Sequence, residues 1–311
     1  PPTPPPPRSL MTSASASATA ARQFAAVEFP WRQVPADLDV WSWSDVSSWL
    51  DTKYDLRTAP WPLMASFWPT LLISIGYILF VVVGKRVIRK PIEAKGLMIA
   101  YNAFVIALNA YLFVGIVQEI RQLEYGWICN RVDYGPRGAR LAWLTYLFYL
   151  SKALDFMDTV FMMIRMKFEQ ASLLHVYHHV MMFPIWWSAV RFCAGGDGLF
   201  GPLLNTFVHF VMYTYYLATC FKICIPGKHL LTQLQMAQLF AILCYSVVSI
   251  ALDCQYPHWT LYAQVTFLIT LLYLFGRFYM STYKKPAGAS SRRKPLPSTT
   301  TRAPSDSAKL E

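Results

Sequence analysis

Between residues 67 and 280 the chain alternates long apolar stretches with short polar breaks. Seven of these stretches are long enough to cross about 30 Å of hydrocarbon as helices. They lie near 67–84, 97–118, 141–164, 173–192, 203–221, 234–253 and 260–280. The fourth contains Pro184, which is expected to kink it unless the freed backbone groups find partners. A Gly-rich turn at Gly195–Gly201 precedes the fifth. The pattern predicts an all-α integral membrane protein with seven transmembrane helices.

The flanks read differently. Residues 1–40 are expected to be disordered, because the Pro-, Ser- and Ala-rich start has no apolar period. Met11 is a candidate start, with the first ten residues foreign, and the acid-free stretch from Arg8 to Arg22 weakly resembles a transit peptide. Residues 41–63 carry Trp41, Trp43, Trp49 and Trp61 among polar residues, which suits a segment lying at the membrane interface. The helical unit is assigned to 64–285, and 286–311 to a disordered basic tail.

Composition sharpens the class. The chain is 55% hydrophobic and 14% charged, against roughly 25% charged in soluble domains. The net charge of +11 lies largely in the tail and short loops. It therefore reads as an orientation and membrane-surface signal, not as a nucleic-acid face. Basic residues cluster after the first span (Lys85, Arg86, Arg89, Lys90, Lys95), after the third (Arg165, Lys167) and after the fifth (Lys222, Lys228). This assigns the C-terminus to the cytosol and the N-terminus to the lumen. Arg121, Arg131, Arg137 and Arg140 run against that assignment. The six cysteines are too few for a disulfide scaffold and lack metal-site spacing.

Four spans carry polar residues where a lipid-facing helix should have none. Lys152, Asp155, Asp158 and Thr159 are turn-spaced on the third span, and His175, His178 and His179 open the fourth. Asn205, His209, Tyr213 and Tyr216 share a face of the fifth; Thr232, Gln235 and Gln238 open the sixth. Ionisable groups in a membrane are costly and persist mainly when they face a protein interior or polar cavity. Taken singly, Lys152 with Asp155 is also compatible with a structural ion pair, and Asn205 or Gln238 with interhelical hydrogen bonding. The orientation sets the four groups near the cytosolic surface, with His209 deeper. Helices bundled this way line a polar-mouthed pocket with an apolar interior, a shape for a long chain with a polar head.

The motifs Lys152-Ala-Leu-Asp155-Phe-Met-Asp158-Thr159, His175-Val-Tyr-His178-His179, Asn205-Thr-Phe-Val-His209-Phe-Val-Met212-Tyr213-Thr-Tyr215-Tyr216 and Thr232-Gln-Leu-Gln235-Met-Ala-Gln238 occur in that order. This resembles the very-long-chain fatty acid elongase (ELO) family, over roughly residues 65–285. The family usually has Glu where Asp155 stands. Many members end in a dilysine retrieval signal, whereas this chain ends Ala308-Lys309-Leu310-Glu311, which leaves retention open. The resemblance implies an endoplasmic reticulum condensing enzyme with six of its seven helices ringed around an acyl tunnel. It implies acyl-CoA and malonyl-CoA as substrates, 3-ketoacyl-CoA, CO2 and CoA as products, and no bound cofactor or metal. Membrane lipid, other enzymes of the elongation cycle and a second copy of the chain are the expected partners. Tyr177 and Gln170 resemble elongases of polyunsaturated chains.

The family pattern also implies roles. A neutral imidazole, with an ordinary pKa of about 6.5, can attack a thioester. The resemblance favours His178 as nucleophile, with His209 orienting substrate or moving a proton. His175 and His179 then shape the site, and Asp155 or Asp158 fixes an imidazole tautomer. Lys152, Asn205, Gln235 and Gln238 are candidate donors to the enolate left by decarboxylation. Tyr213, Tyr216 and Thr232 are assigned to substrate binding, and Arg165, Lys167, Lys222 and Lys228 to the CoA phosphates. Cys129 and Cys254 fall on the oxidising lumenal side, and the resemblance also suggests a bridge between them. A di-iron desaturase or hydroxylase is the rival enzyme; such sites need more imidazoles than the six present here, and only one H-x-x-H-H box occurs. A receptor or transporter is the non-enzymatic rival, with no convincing internal repeat to support it.

Overall fold

The computed structural model describes residues 54–283. The N-terminal segment, Trp41, Trp43, Trp49 and the basic tail lie outside the described residues. Among the described residues the regular structure is helical: α1 (Trp68–Val87), α2 (Lys95–Gln122), α3 (Ala139–Leu154), α4 (Phe156–Ile164), α5 (Leu173–Cys193), α6 (Phe200–Cys220), α7 (Lys228–Ala251) and α8 (His258–Tyr283). Short 3-10 turns at Pro136–Gly138 and Gly196–Leu199 lead into α3 and α6. Four helices, α1, α2, α7 and α8, are long and apolar enough to cross a membrane. The others carry most of the intramembrane charge and all three box histidines. The architecture is that of an all-α, multi-pass membrane protein.

Local sequence sets the helix ends. Pro69 occupies the first turn of α1, where a missing N–H costs nothing, and Lys85 and Arg86 meet the negative end of its dipole. Ser172 caps α5 by accepting from the backbone N–H of His175 at 3.3 Å. Gly227 precedes α7 at φ +90°, a left-handed conformation that favours glycine.

One expectation about a single helix needs correction. The third apolar stretch is not one helix but α3 and α4, interrupted at Asp155. There the N–H of Asp158 bonds back only three residues, to the Asp155 carbonyl at 3.2 Å, so the winding tightens locally. Conversely, α5 runs unbroken through Pro184.

Helix packing follows a closed circuit. α2 packs on α3, α3 on α5, α5 on α8, α8 on α7, α7 on α6 and α6 back on α2, while α1 packs against α4 and α5. The aromatic core between α3 and α5 includes the stacked rings of Tyr149 and Phe183, with centroids 4.7 Å apart.

One end of the bundle is knotted by polar groups. Cys129 and Cys254 form a disulfide. Beside it the buried carboxylate of Asp197 accepts from the backbone of Cys129 (3.1 Å) and Asn130 (2.7 Å) and from the hydroxyls of Tyr245 (2.8 Å) and Ser249 (2.7 Å). Arg57 grips Asp55 and also donates to the carbonyls of Asp133, Gly138 and Ala194. Tyr134 donates to Phe192 O at 3.0 Å, and burial raises its phenol above the ordinary value, so it remains a donor. Trp61, the one described tryptophan of the interfacial segment, packs edge-on against Trp143 at 5.5 Å.

Candidate active site

The polar site lies toward the end of the bundle opposite the disulfide, where α5 begins and α4 ends. Its centre is Lys152, which is 2% exposed. Its ammonium donates to Asp155 Oδ2 at 2.9 Å and crosses to α6 to donate to Asn205 Oδ1 at 3.0 Å. Asp155 Oδ1 in turn accepts from Tyr213 OH at 3.2 Å, and the same hydroxyl bonds Asp158 Oδ2. Tyr101 on α2 lies 3.4 Å from the Tyr213 oxygen and donates to Leu154 O. A buried charge is tolerable only when paired and hydrogen-bonded, and this network supplies that for both members of the ion pair.

The imidazoles surround the network without entering it fully. His209 is buried on α6, and its Nδ1 has no hydrogen-bond partner among the described residues. Asp155 Oδ2 stands 3.9 Å from that nitrogen, beyond hydrogen-bond range. His175 Nε2 meets Thr159 Oγ1 at 2.8 Å, and Thr159 meets Tyr77 OH at 2.7 Å. His179 is buried between them, its ring 4.3 Å from that of His175 and 5.2 Å from that of His178. Thus a threonine, not a carboxylate, fixes a box imidazole; neither Asp155 nor Asp158 bonds one.

His178 faces a cavity of about 40 Å³. Asn205, Gln238 and Gln264 line it with His178, among apolar residues that include Trp186, Ile242 and Phe267. The cavity therefore joins an imidazole and side-chain amides to a largely apolar wall.

The sequence comparisons decide the family. The profile of the ELO: GNS1/SUR4 family matches residues 62–291, most of the chain. The protein belongs to the ELO family. A human very long chain fatty acid elongase 4 is 37% identical over 254 residues, covering 79% of this chain and 78% of the relative. A very long chain fatty acid elongase of Aedes aegypti is 39% identical over 261 residues, covering 79% and 73%. Mouse very long chain fatty acid elongase 2 is 32% identical over 255 residues, covering 78% and 86%.

In this elongase the four motif groups are not equally central. Lys152, Asp155, Asn205, Tyr213 and His209 converge, with His178 and Gln238 on the cavity beside them. Gln235 instead turns to Met212 Sδ at 3.2 Å, so it is not a cavity amide. Tyr216 stacks edge-on with Tyr213 at 5.8 Å, and Thr232 is buried near the start of α7. Arg165, Lys167, Lys222 and Lys228 are exposed around the site's end of the bundle, Arg165 reaching Met98 Sδ at 3.4 Å. Among the described residues no group of three or more His, Cys, Asp or Glu is arranged to hold a metal ion.

Sequence reasoning overlooked Tyr77, Tyr101 and Gln264. The first two touch Thr159 and Tyr213, and Gln264 lines the cavity. Each is a polar residue inside an apolar stretch, the same signal that singled out Gln238.

Proposed function

We propose that this ELO-family protein is the condensing enzyme of fatty acid elongation, a 3-ketoacyl-CoA synthase that joins a long acyl chain to the two-carbon unit of malonyl-CoA. The observation that carries the reading is the shared cavity, where His178, Asn205 and Gln238 stand among a mostly apolar lining. The imidazole and amides match a thioester head in polarity, and the apolar lining matches an acyl tail. The names of the relatives support the same chemistry, since each is a very long chain fatty acid elongase.

The residues support two half-reactions. An imidazole nitrogen of His178 attacks the acyl-CoA carbonyl; the C–S bond breaks, and CoA leaves as a thiol with the imidazole proton. Malonyl-CoA then loses CO2, and the electron pair of the broken C–C bond becomes an enolate. The enolate carbon attacks the acyl-imidazole carbonyl, the C–N bond breaks, and His178 takes up a proton. Gln238 and the amide of Asn205 are the donors nearest the developing enolate charge. The Lys152–Asp155 pair fixes Asn205 by holding its carbonyl oxygen, which leaves the amide N–H groups to the cavity. His209, with an unsatisfied Nδ1, is the candidate proton carrier. The chemistry needs no metal or bound cofactor.

Six helices of the packing circuit, α3 and α4 counted as one, enclose the acyl tunnel in this reading, and α1 stands outside it. Seven spans, an endoplasmic reticulum location and a cytosolic C-terminus follow from the basic-loop pattern and the resemblance. The four exposed cations around the site's end then face cytosolic acyl-CoA. The resemblance of Tyr177 and Gln170 to elongases of polyunsaturated chains supports a preference for such chains. Yeast membranes carrying the chain and fed a panel of fatty acids test both points by gas chromatography. The reading expects elongated polyunsaturated products that vanish in His178→Ala. Elongated products undiminished in that variant would exclude His178 as nucleophile, and a saturated-only product profile would exclude the preference.

A further inference from the structure

We propose that Asp158, Tyr213 and Asp155 form a proton inlet, which carries the one proton consumed in each condensation from the exposed end of α4 to His209. The inference rests on the condensing-enzyme reading above and adds the source of the proton that His178 takes up.

The balance of the reaction creates the need. In the first half-reaction the imidazole proton of His178 leaves with the CoA sulfur, so no outside proton is used. In the second, malonyl-CoA loses its carboxylate as CO2, and the electron pair of that bond forms the new C–C bond to the acyl carbon. The C–N bond then breaks, and the electron pair left on the His178 nitrogen takes a proton. Neither substrate supplies it, since the malonyl carboxyl is already ionised near neutral pH. Each turnover therefore draws one proton from outside.

The residues that surround the site keep water away from it. Lys152, Asp155, Tyr213 and His209 are all buried. Asp158 is half-buried and lies nearer the exposed end of α4 at Arg165. Its Oδ2 contacts Tyr213 OH at 2.5 Å, and the same phenol oxygen lies 3.2 Å from Asp155 Oδ1. Asp155 Oδ2 is 3.9 Å from His209 Nδ1, which has no hydrogen-bond partner among the described residues. The four groups form a series that begins half-buried and ends enclosed. The other hydroxyl chain, His175–Thr159–Tyr77, reaches neither Lys152 nor His209 through any hydrogen bond among the described residues.

A count of hydrogens shows that the series is loaded. The Tyr213 hydroxyl has one hydrogen and two carboxyl neighbours. Tyr101 gives its own hydrogen to Leu154 O. A further hydrogen is needed between Tyr213 and the two acids. It belongs on Asp158, because Asp155 is the acid paired with the Lys152 ammonium. In the transfer, Tyr213 takes the Asp158 proton on its oxygen as it gives its own hydrogen to Asp155 Oδ1. A half-turn of the Asp155 carboxyl about Cβ–Cγ moves that hydrogen to the His209 side, while Lys152 keeps the other oxygen. Closing the gap by about 1 Å brings His209 Nδ1 into hydrogen-bond range. Water at the exposed end returns a proton to Asp158. The last transfer, from His209 to His178, is the one the condensing reading gives to His209.

The test uses membranes containing the full chain with acyl-CoA and malonyl-CoA, and turnover is measured in H2O and in D2O. Asp158→Ala is expected to lose roughly ten-fold or more in turnover and to show a larger solvent isotope effect than wild type, because proton delivery becomes limiting. Acetic acid fills the space of the lost carboxyl and is expected to restore turnover several-fold, in proportion to its protonated form. Tyr213→Phe is expected to raise the isotope effect in the same way. The two variants lie on different helices, so misfolding of one leaves the other to decide. A bridge that only held Asp155 in place would lose turnover with the wild-type isotope effect and no response to added acid. That result in either folded variant, or full turnover in either, overturns the inlet alone. A wild type that makes no condensation product overturns the condensing reading itself.

Discussion

Lys152 on α3 holds Asn205 on α6: the ammonium donates to the amide oxygen at 3.0 Å while the same nitrogen keeps Asp155 at 2.9 Å. The pair is buried, so its value lies in what its loss would expose. Lys152→Met leaves Asp155 as an uncompensated buried carboxylate, and breaking a buried pair this way costs on the order of 3–5 kcal/mol. The expected result is a markedly lower Tm in detergent. Lys152→Met combined with Asp155→Leu should regain most of that stability, yet stay inactive because Asn205 is no longer held. A single variant as stable as wild type would remove the pair from the account.

Tyr213 bridges Asp155 and Asp158 through one hydroxyl. Tyr213→Phe keeps the ring and deletes the donor. Leaving buried acceptors unmet costs about 1–3 kcal/mol, and the loss should appear as a lower kcat, since Asp155 is freed to swing from Lys152. Steady-state kinetics on membranes checks this; an unchanged kcat would make the bridge dispensable.

The disulfide closes a sequence separation of 125 residues. Removing such a crosslink typically costs about 2–5 kcal/mol. Cys129→Ser, Cys254→Ser and wild type under reductant should all lose a similar number of degrees in Tm. The double variant should lose no more than either single variant. Additive losses would mean that the two sulfurs act separately.

Arg165 and Lys167 are exposed at the site's end of the bundle. Exposed charges contribute about 0.2–1 kcal/mol each to a contact and are screened by salt. Arg165→Glu/Lys167→Glu should therefore raise KM for acyl-CoA several-fold at low ionic strength, with kcat kept and the difference narrowing as salt rises. An unchanged KM would leave these residues as orientation signals only.

The helices and the site were not equally legible in the sequence. Apolar run length marked where the helices lie, with α3 and α4 read as one stretch, because the lipid-facing side repeats the same demand over the whole span. Lys152 and Asp155 were recognisable as a pair from their spacing on one helix. Asn205 as their third member was not, since the contact crosses between helices and no local spacing encodes it. The break at Asp155 was hidden because both halves are apolar and both flanking turns remain helical. A carboxylate is the expected partner of an imidazole without local spacing naming which one, and at His175 that place is taken by Thr159, one residue beyond Asp158, across the α4–α5 gap. Arg57 and Asp197 were illegible for another reason. They lie in irregular segments, where no period exists, and their partners are mostly backbone groups whose positions depend on the finished fold. Gln264 carried a readable signal, a lone amide in an apolar run, but its partner Ser246 is visible only in the packed helices.

In the proposed route the acyl group passes through His178. Purified enzyme incubated with acyl-CoA and no malonyl-CoA, then quenched and digested, tests it by peptide mass spectrometry. The account predicts an acyl mass added to the peptide bearing His178, with release of free CoA and loss of the adduct once malonyl-CoA is supplied. An acyl group found only on another side chain, or no CoA release before malonyl-CoA is added, would contradict it.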